Sequence, residues 1–314
     1  MALYRDSLDH IINKMLLADG GLETDLIFNK GFDLPDFSAF VLLESEAGVR
    51  ALLDYYQEYV DIAVSANLGI VLETPTWRAN PDWAQRLGYD ESRLRQANIE
   101  GVERLVHIRS HNDSAAPIVV SGCIGPRSDG YAPSALMSTE EARSYHQAQV
   151  ETFADTEADL VTGMTMGYAE EAIGIATAAK RSSIPVAISF TTETNGLLPS
   201  GHSLRDAIES VDGATDGYPS YYMVNCAYPT HFSSVLSSGE HWVKRIRGVR
   251  SNASKASHAE LDESPTLDSG DPVEFGEIYA RLQASYPNFT VLGGCCGTDS
   301  RHIRQIALAC AREE

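Results

Sequence analysis

The sequence predicts a single-domain (β/α)8 TIM barrel, an α/β fold spanning residues 1–314, on three observations: eight short apolar runs recur along the chain, segments of helical period separate them, and the runs are continuously apolar rather than alternating. A parallel strand covered on both faces buries every side chain, which is why continuity marks it. Eight strand–helix units in about this length suit closure into a barrel better than an open doubly wound sheet, the alternative that periodicity leaves standing.

The first run, KMLLADGG at 14–21, closes on an Asp and two glycines. After it Val49, Leu52, Leu53, Tyr56 and Val60 recur at spacings of three and four, the apolar face of a helix. GIVLETPT at 69–76 and PIVVSGCIGP at 117–126 are the second and third strands, each ended by Pro or Gly nearby. DLVTGMT at 159–165, PVAISF at 185–190 and YYMVNC at 221–226 follow, then IRGVRSN at 246–252. The next stretch, 251–272, is polar and without period, and it reads as a long loop of the kind that is usually functional or mobile. FTVLGGCC at 289–296 is the eighth strand, and Ile303, Ile306, Ala307 and Cys310 mark the inner face of the last helix. No Pro-, Gly- or Ser-rich linker divides the chain.

A hydrophobic content of 43% is enough for a sizeable core. Lys and Arg number 24 against 44 Asp and Glu, a net charge of −20, which argues against nucleic acid or an anionic membrane as the main partner and serves solubility. MALYRDSLDHIINK at the start lacks the basic-then-apolar order of a signal peptide, and no stretch is apolar for long enough to span a bilayer, so a cytoplasmic enzyme is expected. Five cysteines without small-domain spacing do not make a disulfide framework; they read as free thiols or metal ligands.

Three of those cysteines close strands. The C-terminal ends of barrel strands gather on one rim, the side that carries active sites. Cys226 ends the sixth run, and Cys295 with Cys296 end the eighth, one strand away around the ring. Zinc accepts sulfur tetrahedrally, and a catalytic zinc has three protein ligands with a fourth position open. Cys226, Cys295 and Cys296 match that arrangement. A Cys-Cys pair alone would read as small buried filler; Cys226 at another strand end turns it into a ligand set. Successive side chains of a strand point to opposite faces, so adjacent ligands need a bent backbone, and Gly293, Gly294 and Gly297 are where positive φ is expected. Cys310 reads as core and Cys123 as filler or a spare ligand. His231 reads as loop packing, with a fourth-ligand role as the alternative, and His302 as structural.

Polar groups at the other strand ends suit a small amino acid: Asp19, Glu23, Thr24, Thr74, Thr76, Ser189, Asn225 and Asn252. A carboxylate such as Asp19 can hold an ammonium, and Gly20 and Gly21 allow close approach to the backbone. Trp77, Tyr131 and Phe190 are candidates to face a sulfonium or quaternary ammonium.

With these residues in view the chain resembles the zinc-dependent homocysteine S-methyltransferase family, nearly end to end: LADGGLETDL near the start, IGP at 124–126, ISFT at 188–191, VNC at 224–226, RSNAS at 250–254 and GGCCGT at 293–298. The resemblance implies zinc bound by Cys226, Cys295 and Cys296, and homocysteine contacted by Asp19. It also implies a cytoplasmic enzyme of methionine biosynthesis whose partners are a small thiol acceptor and a methyl donor. One departure stands out. Similar proteins carry FET at the end of the fourth strand, with a Glu for the homocysteine amino group, whereas this chain has GMT and Met164 there. Glu23, Glu73 or Asp25 can compensate, or the acceptor is another thiol or a selenol. Without a D-x-H-x-x-G stretch or a G-x-G-x-x-G cradle after a strand, S-methylmethionine or S-adenosylmethionine is favoured as donor over methylcobalamin or betaine. Two other classes compete: a hydrolase whose zinc activates water, which calls for a His- or carboxylate-rich rim, and a non-enzymatic zinc or thiol redox sensor.

Overall fold

The computed structural model describes residues 2–112, 114, 116–133, 136–236, 239–262, 264 and 266–311. Positions 1 and 312–314, the ends of the domain expected over 1–314, and positions 263 and 265 of the expected long loop lie outside the described residues. Each apolar run contains a strand: β1 (Leu16–Ala18), β2 (Gly69–Glu73), β3 (Ile118–Ile124), β4 (Leu160–Met166), β5 (Val186–Phe190), β6 (Tyr221–Asn225), β7 (Ile246–Ser251) and β8 (Val291–Gly294). They form a closed barrel in sequence order, every pair parallel, with β1 and β8 joined at Leu16 opposite Val291. The predicted fold is therefore present. Helices Glu46–Ser65 and Ser300–Cys310 include the periodic segments read from the sequence.

In seven of the eight strands the apolar residues divide between two cores. Leu16 and Ala18 of β1, Val71 of β2, Val119 of β3, Leu160 of β4 and Met223 of β6 pack inside the barrel. Leu17, Ile70, Val120, Val161 and Val224 pack outward against the helices. Both sets are buried, so the runs show no alternation of polarity.

The N-terminal segment closes one end of the barrel. Leu8 and Ile12 join the inner core, the backbone amides of Leu3 and Tyr4 donate to Asp159 Oδ1 at 2.8 and 2.9 Å, and Arg5 Nε donates to Ala158 O at 2.8 Å, just before β4 begins. The opposite rim, where the strands end, is left for chemistry. There the 251–272 segment is not a plain loop: it contains a helical turn, His258–Asp262, and folds across the rim.

Candidate metal centre and its cavity

Cys226 directly follows β6, and Cys295 and Cys296 follow β8. The three Sγ atoms all lie within 4.8 Å of one another, so the rim does bring these thiols together. Cys226 Sγ and Cys296 Sγ are 3.7 Å apart, and Cys226 and Cys295 are joined as a disulfide. This one local bond, between residues expected as thiols, belongs to the site and not to a framework. Sulfurs at about 2.3 Å from a tetrahedral zinc would be separated by about 3.8 Å. The Cys226–Cys296 spacing and the all-sulfur donor set thus fit that ion, once the disulfide is reduced to two thiols.

The backbone bend is made differently from the expectation. Gly297 has φ of +80°, as anticipated, but Gly293 and Gly294 are extended strand residues. Their missing side chains permit close packing: a Cβ on Gly293 would stand 2.7 Å from Ala18 Cβ, and one on Gly294 would run into Thr298. The positive φ falls instead on Cys226 itself, at +52°, and on Thr165 at +65°. A β-branched residue there is a steric outlier that its surroundings must hold. Asn225 does so. Its Oδ1 accepts from Thr165 N at 3.1 Å and from Ser189 Oγ at 2.6 Å, while its Nδ2 donates to Thr165 Oγ1 at 2.8 Å and lies 3.9 Å from Cys295 Sγ. One buried amide therefore ties the ends of β4 and β5 to the cysteine cluster. The 251–272 segment contributes too, since Ala253 N donates to Cys296 O at 3.0 Å and His258 contacts the carbonyl of Cys226.

The sulfurs open on a cavity of about 460 Å³ whose floor is charged. Asp19 and Arg250 form a buried ion pair, and Arg250 Nε also donates to Gly294 O at 3.1 Å. Burial works against the Arg250 charge, but Asp19 and Glu73 beside it carry the pKa above its ordinary value. Glu73, 5% exposed, accepts from Thr162 Oγ1 at 2.9 Å on Oε1, and its Oε2 has no partner among the described residues. Burial lifts its carboxyl to about 7, and burial does the same for Glu23. Two carboxyl groups of the cavity that holds the thiols thus titrate near neutrality.

Among the residues expected at the site, Asp19, Glu23, Thr74 and Trp77 line the cavity, as do Thr24, Tyr131 and Asn252. Thr74 Oγ1 accepts from Cys123 N at 2.9 Å, which leaves a threonine that shapes the strand end. Ser189 and Asn225 stand behind the cavity surface, in the network just described. Phe190 faces outward and stacks on Tyr222, because Ser189 holds the inward position of β5. Asp25, bonded to Asn29, is not part of the lining, so Glu23 and Glu73 are the acids left beside Met164, which does line it. Cys123 lines the cavity outside the three-sulfur group, and Cys310 is core. His231 contacts Lys255 O at 3.1 Å, away from the sulfurs, and His302 caps the last helix with Asp299.

Sequence reasoning missed Arg250, Arg78, Trp83, His258, Phe28 and Phe37, all in the lining. Arg250 had a signal: an arginine inside an apolar parallel strand has to find a carboxylate. The others sit on the connections after the strands, Arg78 on a loop and Trp83, His258, Phe28 and Phe37 on short helical pieces, whose course the sequence does not fix.

Residues 16–310 match the family described as homocysteine S-methyltransferase. Among solved structures the chain is similar to the homocysteine methyltransferase MmuM from Escherichia coli. To its oxidised form the TM-score is 0.74 at 22% identity, covering 96% of this chain and 97% of that one. To its metallated form the values are 0.71 and 21%, covering 94% and 96%. Likeness at this identity speaks for the fold. Comparison with curated proteins gave no match. Among the described residues no helix is long and apolar enough to cross a membrane.

Proposed function

Because the chain belongs to the homocysteine S-methyltransferase family, we propose that this thiol methyltransferase moves a methyl group from S-methylmethionine or S-adenosylmethionine to homocysteine, giving methionine, with zinc held by Cys226, Cys295 and Cys296. The observation that carries the reading is the convergence of three sulfurs from the ends of β6 and β8 on the wall of a cavity sized for small amino acids.

An acceptor thiol with an ordinary pKa near 8.5 is mostly protonated at neutral pH, and zinc bound at the three cysteines would supply the charge that favours its thiolate. The chain's own residues do the rest. Glu73 offers a buried, unpartnered oxygen to the acceptor's ammonium, the role that Met164 cannot fill. Asp19 is already neutralised by Arg250, so the pair serves as a rigid polar floor more than as a free anion. Asn225 fixes Cys295 and the bent end of β4. In the transfer the acceptor sulfur's electron pair forms the new S–CH3 bond, the donor's C–S bond breaks with its pair staying on the departing sulfur, and the thiol proton leaves to solvent. Alignment of the two substrates in the cavity is the main catalytic resource in this scheme, since oriented reactants can gain about 7–11 kcal/mol.

Transfer of isotopically labelled methyl from each sulfonium to homocysteine, with cysteine and selenol acceptors alongside, tests the proposal on reduced, zinc-loaded protein. Labelled methionine is the expected product. No label in homocysteine from either donor overturns it. Thermal stabilisation by homocysteine that a chelator abolishes separates the transferase from a thiol sensor, which has no use for the amino acid.

A further inference from the structure

Arg78 stands five residues beyond the end of β2, on the cavity wall. The residue is only 8% exposed. Its guanidinium is clamped between two indoles, with Cζ 4.1 Å from the ring centre of Trp77 and 3.8 Å from that of Trp83. The Trp77 face expected to meet a cationic donor is therefore covered by an arginine. One guanidinium nitrogen donates to Ser128 O at 3.3 Å, and the buried Nε has no partner among the described residues. Tyr131, Asp129, Glu23 and Asp36 act on it through space, but among the described residues no carboxylate forms an ion pair with it. Arg250 and Arg109, whose side chains are similarly buried, are each paired with a buried carboxylate, Asp19 and Asp159.

A buried, immobilised guanidinium without an anion is unfavourable until an anion arrives, and its planar fork matches a carboxylate. Position says whose carboxylate. The acceptor must place its sulfur at the thiol cluster, on the layer formed by the strand ends with Asp19 and Glu73. A donor methyl then has to approach that sulfur from the open side, with the rest of the donor extending toward the mouth. Arg78 lies above the strand-end layer, on the side of β2, four strands around the ring from Cys226. We propose that Arg78 binds the carboxylate of the methyl donor, so that the enzyme selects sulfonium compounds carrying a free amino-acid carboxylate. The assignment rests on the methyltransferase reading above.

The test is equilibrium binding of S-methylmethionine and of its methyl ester, and of S-adenosylmethionine and its decarboxylated form, to reduced, zinc-loaded wild type, Arg78→Met and Arg78→Lys. For whichever donor wild type binds more tightly, the free acid is expected to bind about tenfold better or more than its carboxylate-free partner. Arg78→Met should bind both alike, and Arg78→Lys should keep part of the preference. Wild type that treats acid and carboxylate-free forms alike, or binds neither donor, overturns the assignment without reference to any variant's folding. So does a preference that survives in Arg78→Met, or a loss that falls on homocysteine against its own ester. If the acid preference is present while no methyl reaches homocysteine, the function proposed above fails and the carboxylate site stands; methyl transfer without the preference refutes Arg78 alone.

Discussion

Replacing Glu73 with Gln should make the protein more stable above neutral pH while weakening its hold on an amino group. Burial raises the Glu73 carboxyl from 4.5 to about 7, with Arg250 opposing the shift. Between those two values the folded protein binds more protons at this position than the unfolded chain does. Stability contributed by the site therefore falls as pH rises through the window and stays low above it. The full effect is about 3 kcal/mol, from a difference of some 2.5 in pKa. Gln has the shape of the protonated acid and keeps an acceptor for Thr162 Oγ1. Urea unfolding of ligand-free, reduced protein should show Glu73→Gln about 3 kcal/mol more stable than wild type at pH 8, with the gain shrinking toward zero near pH 4.5. Homocysteine affinity should drop roughly tenfold to a hundredfold, the worth of a charged hydrogen bond. A variant no more stable at pH 8, or a gain independent of pH, refutes the electrostatic reasoning, and unchanged homocysteine binding refutes the assignment of the ammonium.

Cys226→Ser, Cys295→Ser and Cys296→Ser should each lower zinc content measured on reduced protein, and oxidised wild type should take up zinc only after reductant, because a disulfide offers no thiolate pair. Arg250→Met should destabilise by about 3–5 kcal/mol in denaturant unfolding by leaving Asp19 buried and unpaired, with much of the loss restored in the double variant with Asp19→Asn. Asn225→Ala removes the amide that holds Thr165 and Cys295, and it should weaken zinc binding about tenfold to a hundredfold in a competition titration against a chelator. Met164→Glu should raise homocysteine affinity in the Glu73→Gln background more than in wild type, where two carboxyls would compete for one proton.

The barrel was legible because each strand is buried twice. All strand residues but Arg247 are buried, so eight runs stood out as eight strands and their order around the ring followed from the chain. The thiols were legible for a related reason: strand ends are fixed points, and cysteines at two of them must share a rim. Proximity to a strand end is not enough to place a side chain, because the face it takes decides whether it reaches the cavity. Alternation from Val71 places Glu73 inward, and alternation from Ser189 sends Phe190 outward, as the structure has them. Arg78 and His258 were beyond that logic, since the direction of a residue in a connecting segment depends on what that segment packs against.

Under the proposed function, alternation also accounts for how Glu73 would stand in for an acid at position 164. Thr162 and Met164 share the inward face of β4, and the hydroxyl of Thr162 donates to Glu73 Oε1 across β3 at 2.9 Å. The Glu73 carboxylate thus lies against the part of β4 directly below Met164. Negative charge is kept over the same patch of floor although a different strand supplies it. Relocation has a consequence for the electrostatics: Glu73 sits deeper than a rim residue and feels Arg250, so its ionisation near neutral pH depends on whether a cation occupies the cavity. An ammonium that binds there stabilises the carboxylate it needs, and affinity for the acceptor should climb as pH rises through about 7.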